Sequence, residues 1–135
     1  MEAETYLCKA VSNEAFAKSL EAGAEFNDWI VTAHFYTALH YVNAYLSSHM
    51  RAGFCSHEKV KTILSPYGAF HAFRFPEGVF ADYLELQNLS RRARYLKIGD
   101  DDTSALVKVK PRHAEKARRL MESVRAHVQL KMKTA

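Results

Sequence analysis

The chain has 135 residues, of which 48% are hydrophobic and 25% are charged, and its formal net charge is +4 with a pI of about 9.1. This size and composition predict one globular domain, spanning residues 1–135, whose core needs no covalent staples. They exclude a disulfide framework, because Cys8 and Cys55 are the only two cysteines of the sequence.

The first predicted helix runs from Glu4 to Glu21, where apolar residues recur at spacings of three and four. Gly23 ends it. Asn27 or Asp28 then suits the cap of a second helix, which is predicted to run from Trp29 to about Met50.

The second helix contains an unusual segment, residues 29–48, which has no Asp, Glu, Lys or Arg. A helix without charge on any face is expected to be surrounded by other helices. Tyr36, His40 and Asn43 follow one another at i, i+4 and i+7, so they share one face of this helix. Two interpretations are open: an internal network that fixes helix register, or the floor of a pocket with His40 as a ligand contact or proton carrier.

A short third helix is predicted from Ser56, as its N-cap, to about Leu64. Residues 67–75 are aromatic and irregular, with room for one helical turn. Pro76 opens the next helix, which is predicted to reach about Tyr95. Residues 99–102 form a loop, and residues 105–110 alternate weakly like an extended segment.

The last helix is predicted to begin at Pro111. Its apolar stripe consists of Ala114, Ala117, Leu120, Met121, Val124 and Val128. Four long helices and one short helix, joined mostly by short connections, predict an all-α fold with an up-and-down antiparallel bundle.

Positive charge is concentrated in two parts of the sequence. One contains Arg91, Arg92, Arg94 and Lys97, and the other is the segment from Lys108 to Lys133. Such clusters favour binding to polyanions such as RNA or DNA, the alternative being a solvated basic surface.

The densest polar group of residues lies at 88–95. Arg91 and Arg94 share a helix face, Tyr95 follows Arg91 by one turn, and Arg92 points elsewhere. Arginine and tyrosine together suit phosphate contact and base stacking. The alternative is surface salt bridging to Glu85, Asp100 or Asp102.

His57 is a second candidate, because backbone N–H groups at a helix N-terminus attract anions. Arg51 is close to it in sequence and could help to bind phosphate, the alternative being a His in a cap region without a role. His34 and His40 do not share a face, and no metal-binding or nucleotide-binding signature is present, so neither a metal site nor a cofactor is expected.

Several short motifs resemble those of the HEPN domain (higher eukaryotes and prokaryotes nucleotide-binding), most closely a small prokaryotic branch. The resemblance covers roughly residues 13–127. The motifs are Phe35-Tyr36-Thr37-Ala38-Leu39-His40, Ala44-Tyr45-Leu46, Ser56-His57, Ala93-Arg94-Tyr95 and an alanine-containing last helix.

The resemblance implies a helical bundle that often forms a homodimer. Family members include metal-independent endoribonucleases of toxin–antitoxin and defence systems, and non-catalytic partners of small nucleotidyltransferases. The ribonucleases use an arginine, four to six intervening residues and a histidine. No histidine follows Arg91, Arg92 or Arg94 at that spacing, and the match in this chain is Arg51 to His57.

These observations predict a protein that binds RNA or a nucleotide through a basic cleft that contains histidine. The expected binding residues are Tyr36, Arg51, Arg91, Arg94 and Tyr95, and the expected proton-transfer residues are His40 and His57. The alternative is a dimerising interaction module for a protein partner, suggested by the aromatic residues Phe70, Phe73, Phe75 and Phe80.

A cytoplasmic location is expected. Residues 1–10 lack the features of a signal peptide, and no transmembrane segment is evident. Cys8 and Cys55 are expected to be half-buried thiols in a reducing compartment.

Overall fold

The structure is a computed structural model, and it describes residues 3–21, 26–50, 56–94 and 109–133. Within these ranges 88% of the residues are helical and there are no strands. The helices are α1 (Ala3–Glu21), α2 (Asn27–Met50), α3 (His57–Leu64), α4 (Glu77–Arg94) and α5 (Pro111–Lys133), with a short 3₁₀ turn at His71–Phe73. The prediction of an all-α protein with four long helices and one short helix is therefore confirmed for the described parts of the chain.

The starts of α3 and α4 follow the local chemistry of the sequence. The Ser56 hydroxyl accepts a hydrogen bond from the Lys59 backbone N–H at 3.3 Å, so it caps α3 as predicted. Pro76 precedes α4, and its carbonyl accepts the first helical bond, from Phe80, at 2.9 Å. The predicted cap of α2 was wrong, because Asn27 and Asp28 lie inside the helix and the carbonyl of Phe26 accepts its first bond, from Ile30.

Helix α2 is the centre of the bundle and packs against α1, α4 and α5. The ion pairs and ring contacts give the directions of the helices. On α1, Glu14 and Glu21 meet Tyr41 and His34 of α2, so the two helices run antiparallel. Between α4 and α5 the contacting pairs also run in opposite order, as Glu85 with Lys116 and Asp82 with Ser123.

The core follows the predicted periodicity closely in α5. All six residues of its predicted apolar stripe are buried. On α2, Val31, Phe35, Ala38 and Val42 have no exposed surface, which explains why this helix has no charge on those faces. The loop after α3 is attached to the core through the Tyr45 hydroxyl, which donates to the Ala72 carbonyl at 3.0 Å.

Two expectations from the sequence need correction. The aromatic segment does not form an exposed patch, because Phe75 is buried and Phe73 and Phe80 pack against the core, which leaves Phe70 exposed. Cys8 is exposed on α1 rather than half-buried. Cys55 and most of the expected extended segment at 105–110 lie outside the described residues.

Among the described helices, none combines the length and apolar character required to cross a bilayer.

Candidate functional site

Two of the predicted site residues, Tyr36 on α2 and Arg94 at the end of α4, are in direct contact. Arg94 Nη1 donates a hydrogen bond to the Tyr36 hydroxyl at 2.7 Å, although 58 positions separate the two residues. The guanidinium carbon also lies 5.6 Å from the Tyr36 ring centroid and 6.0 Å from that of Phe35. A cation over two adjacent rings is held by their electron-rich faces as well as by the hydrogen bond.

His57 also lies beside Phe35. Its ring centroid is 5.8 Å from that of Phe35, so Phe35 is a shared neighbour of His57 and Arg94. Burial lowers the pKa of His57, and the positive charges of Arg94 and Arg91 lower it further. His57 is therefore a neutral imidazole at neutral pH, beside two arginines.

His40 lies beside Tyr36 but faces α1. Its ring centroid is 6.4 Å from that of Tyr36 and 6.3 Å from that of Tyr6, on which it is stacked. Burial lowers the pKa of His40, and the charge of Lys9 contributes in the same direction. The two candidate proton carriers thus have different surroundings, because His57 is close to the arginines and His40 is close to Lys9.

The polar face of α2 does not form the hydrogen-bonded network that one interpretation predicted. Within the described ranges, Asn43 Oδ1, His40 Nδ1 and His57 Nδ1 are buried atoms without a hydrogen-bond partner. Buried polar atoms are normally satisfied, so the unsatisfied Nδ1 of His57, whose pKa is influenced by Arg94 and Arg91, favours the interpretation of a binding site.

Arg91 and Arg92 are both exposed near the end of α4, but they influence different groups. The charge of Arg91 acts on His57, whereas that of Arg92 acts on His113 in the first turn of α5. Glu85, a possible partner for the arginines, instead forms an ion pair with Lys116 at 2.9 Å. Arg51, Tyr95, Asp100 and Asp102 lie outside the described residues.

A separate polar cavity of about 480 Å³ lies between α1, α2 and α5. Its lining residues are Glu14, Lys18, Glu21, His34, Arg118, Met121 and Glu122. Arg118 and Glu122 pair within α5 at 3.3 Å, while Glu14 and Glu21 of α1 pair across helices, with Arg125 at 2.6 Å and with His34 at 3.4 Å. We regard the cavity as structural because these pairs connect α1 to its neighbours. In the described ranges, no group of three or more His, Cys, Asp or Glu side chains could hold a metal ion.

Three residues of the site's surroundings were not predicted: Phe35, Tyr6 and Lys9. Phe35 has no exposed surface, and its pattern in the sequence is that of an ordinary core residue. Tyr6 and Lys9 are three apart on α1, a spacing that places both on one face, but nothing in the local sequence indicates that this face meets His40.

Comparison with known protein families, curated proteins and solved structures found no match to this chain.

Stability is expected to fall as the pH is lowered through the histidine range. Burial lowers the pKa of His34, His40, His57 and His127 below the value of about 6.5 that applies to the unfolded chain. Between the folded and unfolded pKa values the unfolded state binds more protons, so the free energy of unfolding rises with pH across this window. Urea denaturation at constant ionic strength should show full stability above pH 7.5 and a progressive loss from about pH 6.5 downward. Equal stability at pH 7.5 and pH 5 would contradict this expectation.

Proposed function

We propose that this protein binds RNA or a nucleotide through the cluster formed by Tyr36, His57, Arg91 and Arg94, as a HEPN-like domain. The single observation that carries the proposal is the position of Arg94, which joins the end of α4 to the two aromatic residues of α2. The resemblance of the sequence motifs to HEPN domains supports the same function. The proposal also includes the homodimer that the resemblance to HEPN domains implies.

The chemistry of the cluster suits a phosphate and its nucleoside. Arginine presents a planar fork of donors that matches two phosphate oxygens, and Arg91 is exposed beside Arg94. Tyr36 is half-buried and offers either a hydroxyl or a ring face to a base.

Ribonuclease activity is the catalytic version of the proposal. A base would accept the proton of the 2′-hydroxyl as its oxygen attacks phosphorus, and an acid would protonate the leaving 5′ oxygen. His57, with its lowered pKa, suits the base. His40 also has a lowered pKa, so it is a weak source of protons at neutral pH. Binding is therefore better supported by the geometry than cleavage.

A second candidate function is a non-catalytic module that dimerises or binds a protein partner such as a minimal nucleotidyltransferase. The observation in its favour is the set of large apolar side chains that the structure leaves exposed, including Phe16, Phe26 and Trp29. RNA affinity distinguishes the two candidates, because both include a dimer; a monomer in light scattering at micromolar concentration would contradict a module that works by dimerising.

Two assays test the proposed function. Fluorescence anisotropy with a labelled RNA should show that the logarithm of the association constant falls linearly with the logarithm of the salt concentration. This dependence is expected when phosphate contacts release counterions. The same RNA incubated with excess protein in EDTA should be cleaved if the catalytic version holds. No binding at low salt would contradict the proposal as a whole, whereas binding without cleavage would contradict its catalytic version alone.

A further inference from the structure

Aromatic side chains continue from Tyr36 along the same face of α2. Trp29, Tyr36 and His40 are spaced at i, i+7 and i+11, which places the three rings on one side of the helix. Trp29 is 57% exposed, and Tyr36 and His40 are partly exposed. Trp29 therefore exposes a large aromatic ring to water on the same helix face as the candidate site. Such exposure of a large apolar side chain indicates a contact surface.

Helix α1 has a matching face. Tyr6, Lys9 and Phe16 lie at i, i+3 and i+10, and Phe16 is 48% exposed. The stacking of Tyr6 on His40 fixes the position of this face beside the face of α2. Along α2, Trp29 lies about 16 Å from His40 at a rise of about 1.5 Å per residue. We define the aromatic strip as Tyr6, Phe16, Trp29, Tyr36 and His40.

Two cations lie beside the His40 and Tyr36 members of the aromatic strip. Lys9 acts on His40, and Arg94 lies over Tyr36. Glu14 and Glu21, two carboxylates of α1, are directed to other groups, Arg125 and His34. If a second copy of the chain bound to the strip through a symmetric interface, Lys9 and Arg94 of one copy would lie near the same cations of the other copy. The strip itself has no carboxylate that would neutralise them. A polyanion with flat, apolar bases is the better match.

We propose that the aromatic strip is a base-stacking surface for single-stranded RNA whose phosphates are bound by Arg91 and Arg94; this rests on the proposed function. Rings offer a stacking face to every base, whereas a duplex keeps its bases paired and covered. A strip of about 15 Å spans about four nucleotides at the ~3.4 Å spacing of a stacked strand. The ligand is thus an oligonucleotide, and a mononucleotide fills part of the site.

Trp29 makes the test direct because it is the single tryptophan of the chain. Titration with a 12-nucleotide oligouridylate should quench the tryptophan emission, while an RNA duplex at equal phosphate concentration should leave it nearly unchanged. Trp29→Ala should weaken binding of the labelled oligouridylate by about 5- to 100-fold, which corresponds to the loss of one stacked base. Trp29→Phe should retain most of the affinity, because it keeps a ring.

Val11→Ala is the matched control, since Val11 is an apolar side chain of α1 that is exposed to the same degree, 58%. If Trp29→Ala leaves oligouridylate affinity unchanged while Arg91→Ala/Arg94→Ala abolishes it, the strip is not a stacking surface and the proposed function stands. If the wild-type protein binds no RNA, the proposed function fails and the strip with it. If Trp29→Ala lowers the mass measured by light scattering and leaves RNA affinity unchanged, the strip is an interface between copies, which overturns the inference.

Discussion

Replacement of Arg91 and Arg94 by alanine is expected to weaken RNA binding by about 100-fold or more, because each charge-assisted hydrogen bond to a phosphate contributes about 1.5–3 kcal/mol. Arg91 is exposed, and Arg94 is half-buried at the last turn of α4, so neither residue belongs to the packed core. The loss of the charge-assisted bond from Arg94 to Tyr36 is expected to cost about 1.5 kcal/mol of stability, the low end of the range for such bonds, because Arg94 is half-exposed. Anisotropy at low salt measures the affinity, and thermal denaturation followed by circular dichroism measures the stability.

A control variant separates a site from general electrostatic attraction. Arg119→Ala/Lys133→Ala removes the same two charges from exposed positions on α5. It should change RNA affinity by less than about 10-fold, as expected for cations that only contribute to the overall field. An equal loss of RNA affinity in both double variants would show that RNA is bound through the overall positive charge of the protein and not at one site. A collapse of the melting temperature in Arg91→Ala/Arg94→Ala would show that the arginines are structural.

Phe35→Ala is expected to produce the largest loss of stability, about 3–5 kcal/mol, because it creates a cavity in a fully packed position. Phe35 has no exposed surface and contacts the rings of Tyr36, His57 and Tyr83. Since Phe35 also lies under Arg94, the variant should lose RNA affinity together with stability. Urea denaturation gives the free energy of unfolding for comparison with wild type.

Tyr83→Phe is the matched control for a neighbouring buried ring. Tyr83 has no exposed surface, and its hydroxyl has no hydrogen-bond partner in the described part of the chain. Burial raises the pKa of this phenol well above its ordinary value, so the hydroxyl stays protonated and unpaired. Its removal should leave stability unchanged or raise it by about 1 kcal/mol. A loss of less than about 1 kcal/mol in Phe35→Ala would contradict the importance of this packing.

Local patterns in the sequence determine much of the helical structure. The apolar stripe of α5 repeats at helical spacing, and all six of its residues are buried as predicted. The Ser56 cap and the proline before α4 are chemical signals that act within one turn, and they mark the starts of α3 and α4. The cap of α2 was mispredicted because Asn27 and Asp28 extend the helix by two residues instead of belonging to the preceding loop.

The candidate site depends on contacts between distant parts of the chain, and local patterns do not encode these. Tyr36 and Arg94 are 58 positions apart, and their contact results from the packing of α4 on α2. The uncharged segment of α2 predicted burial on every side, yet Trp29 is more than half exposed. Lack of charge indicates a helix that packs on several neighbours, but it does not show which stripe those neighbours leave uncovered.

The most direct test of the central claim is a ¹H–¹⁵N correlation spectrum recorded during titration with the 12-nucleotide oligouridylate. If α2 and the end of α4 form the binding site, the largest shifts will come from the backbone of Tyr36 and His57 and from the side-chain Nε–H of Arg94. Shifts confined to the C-terminal half of α5, with these three residues unchanged, would contradict the claim.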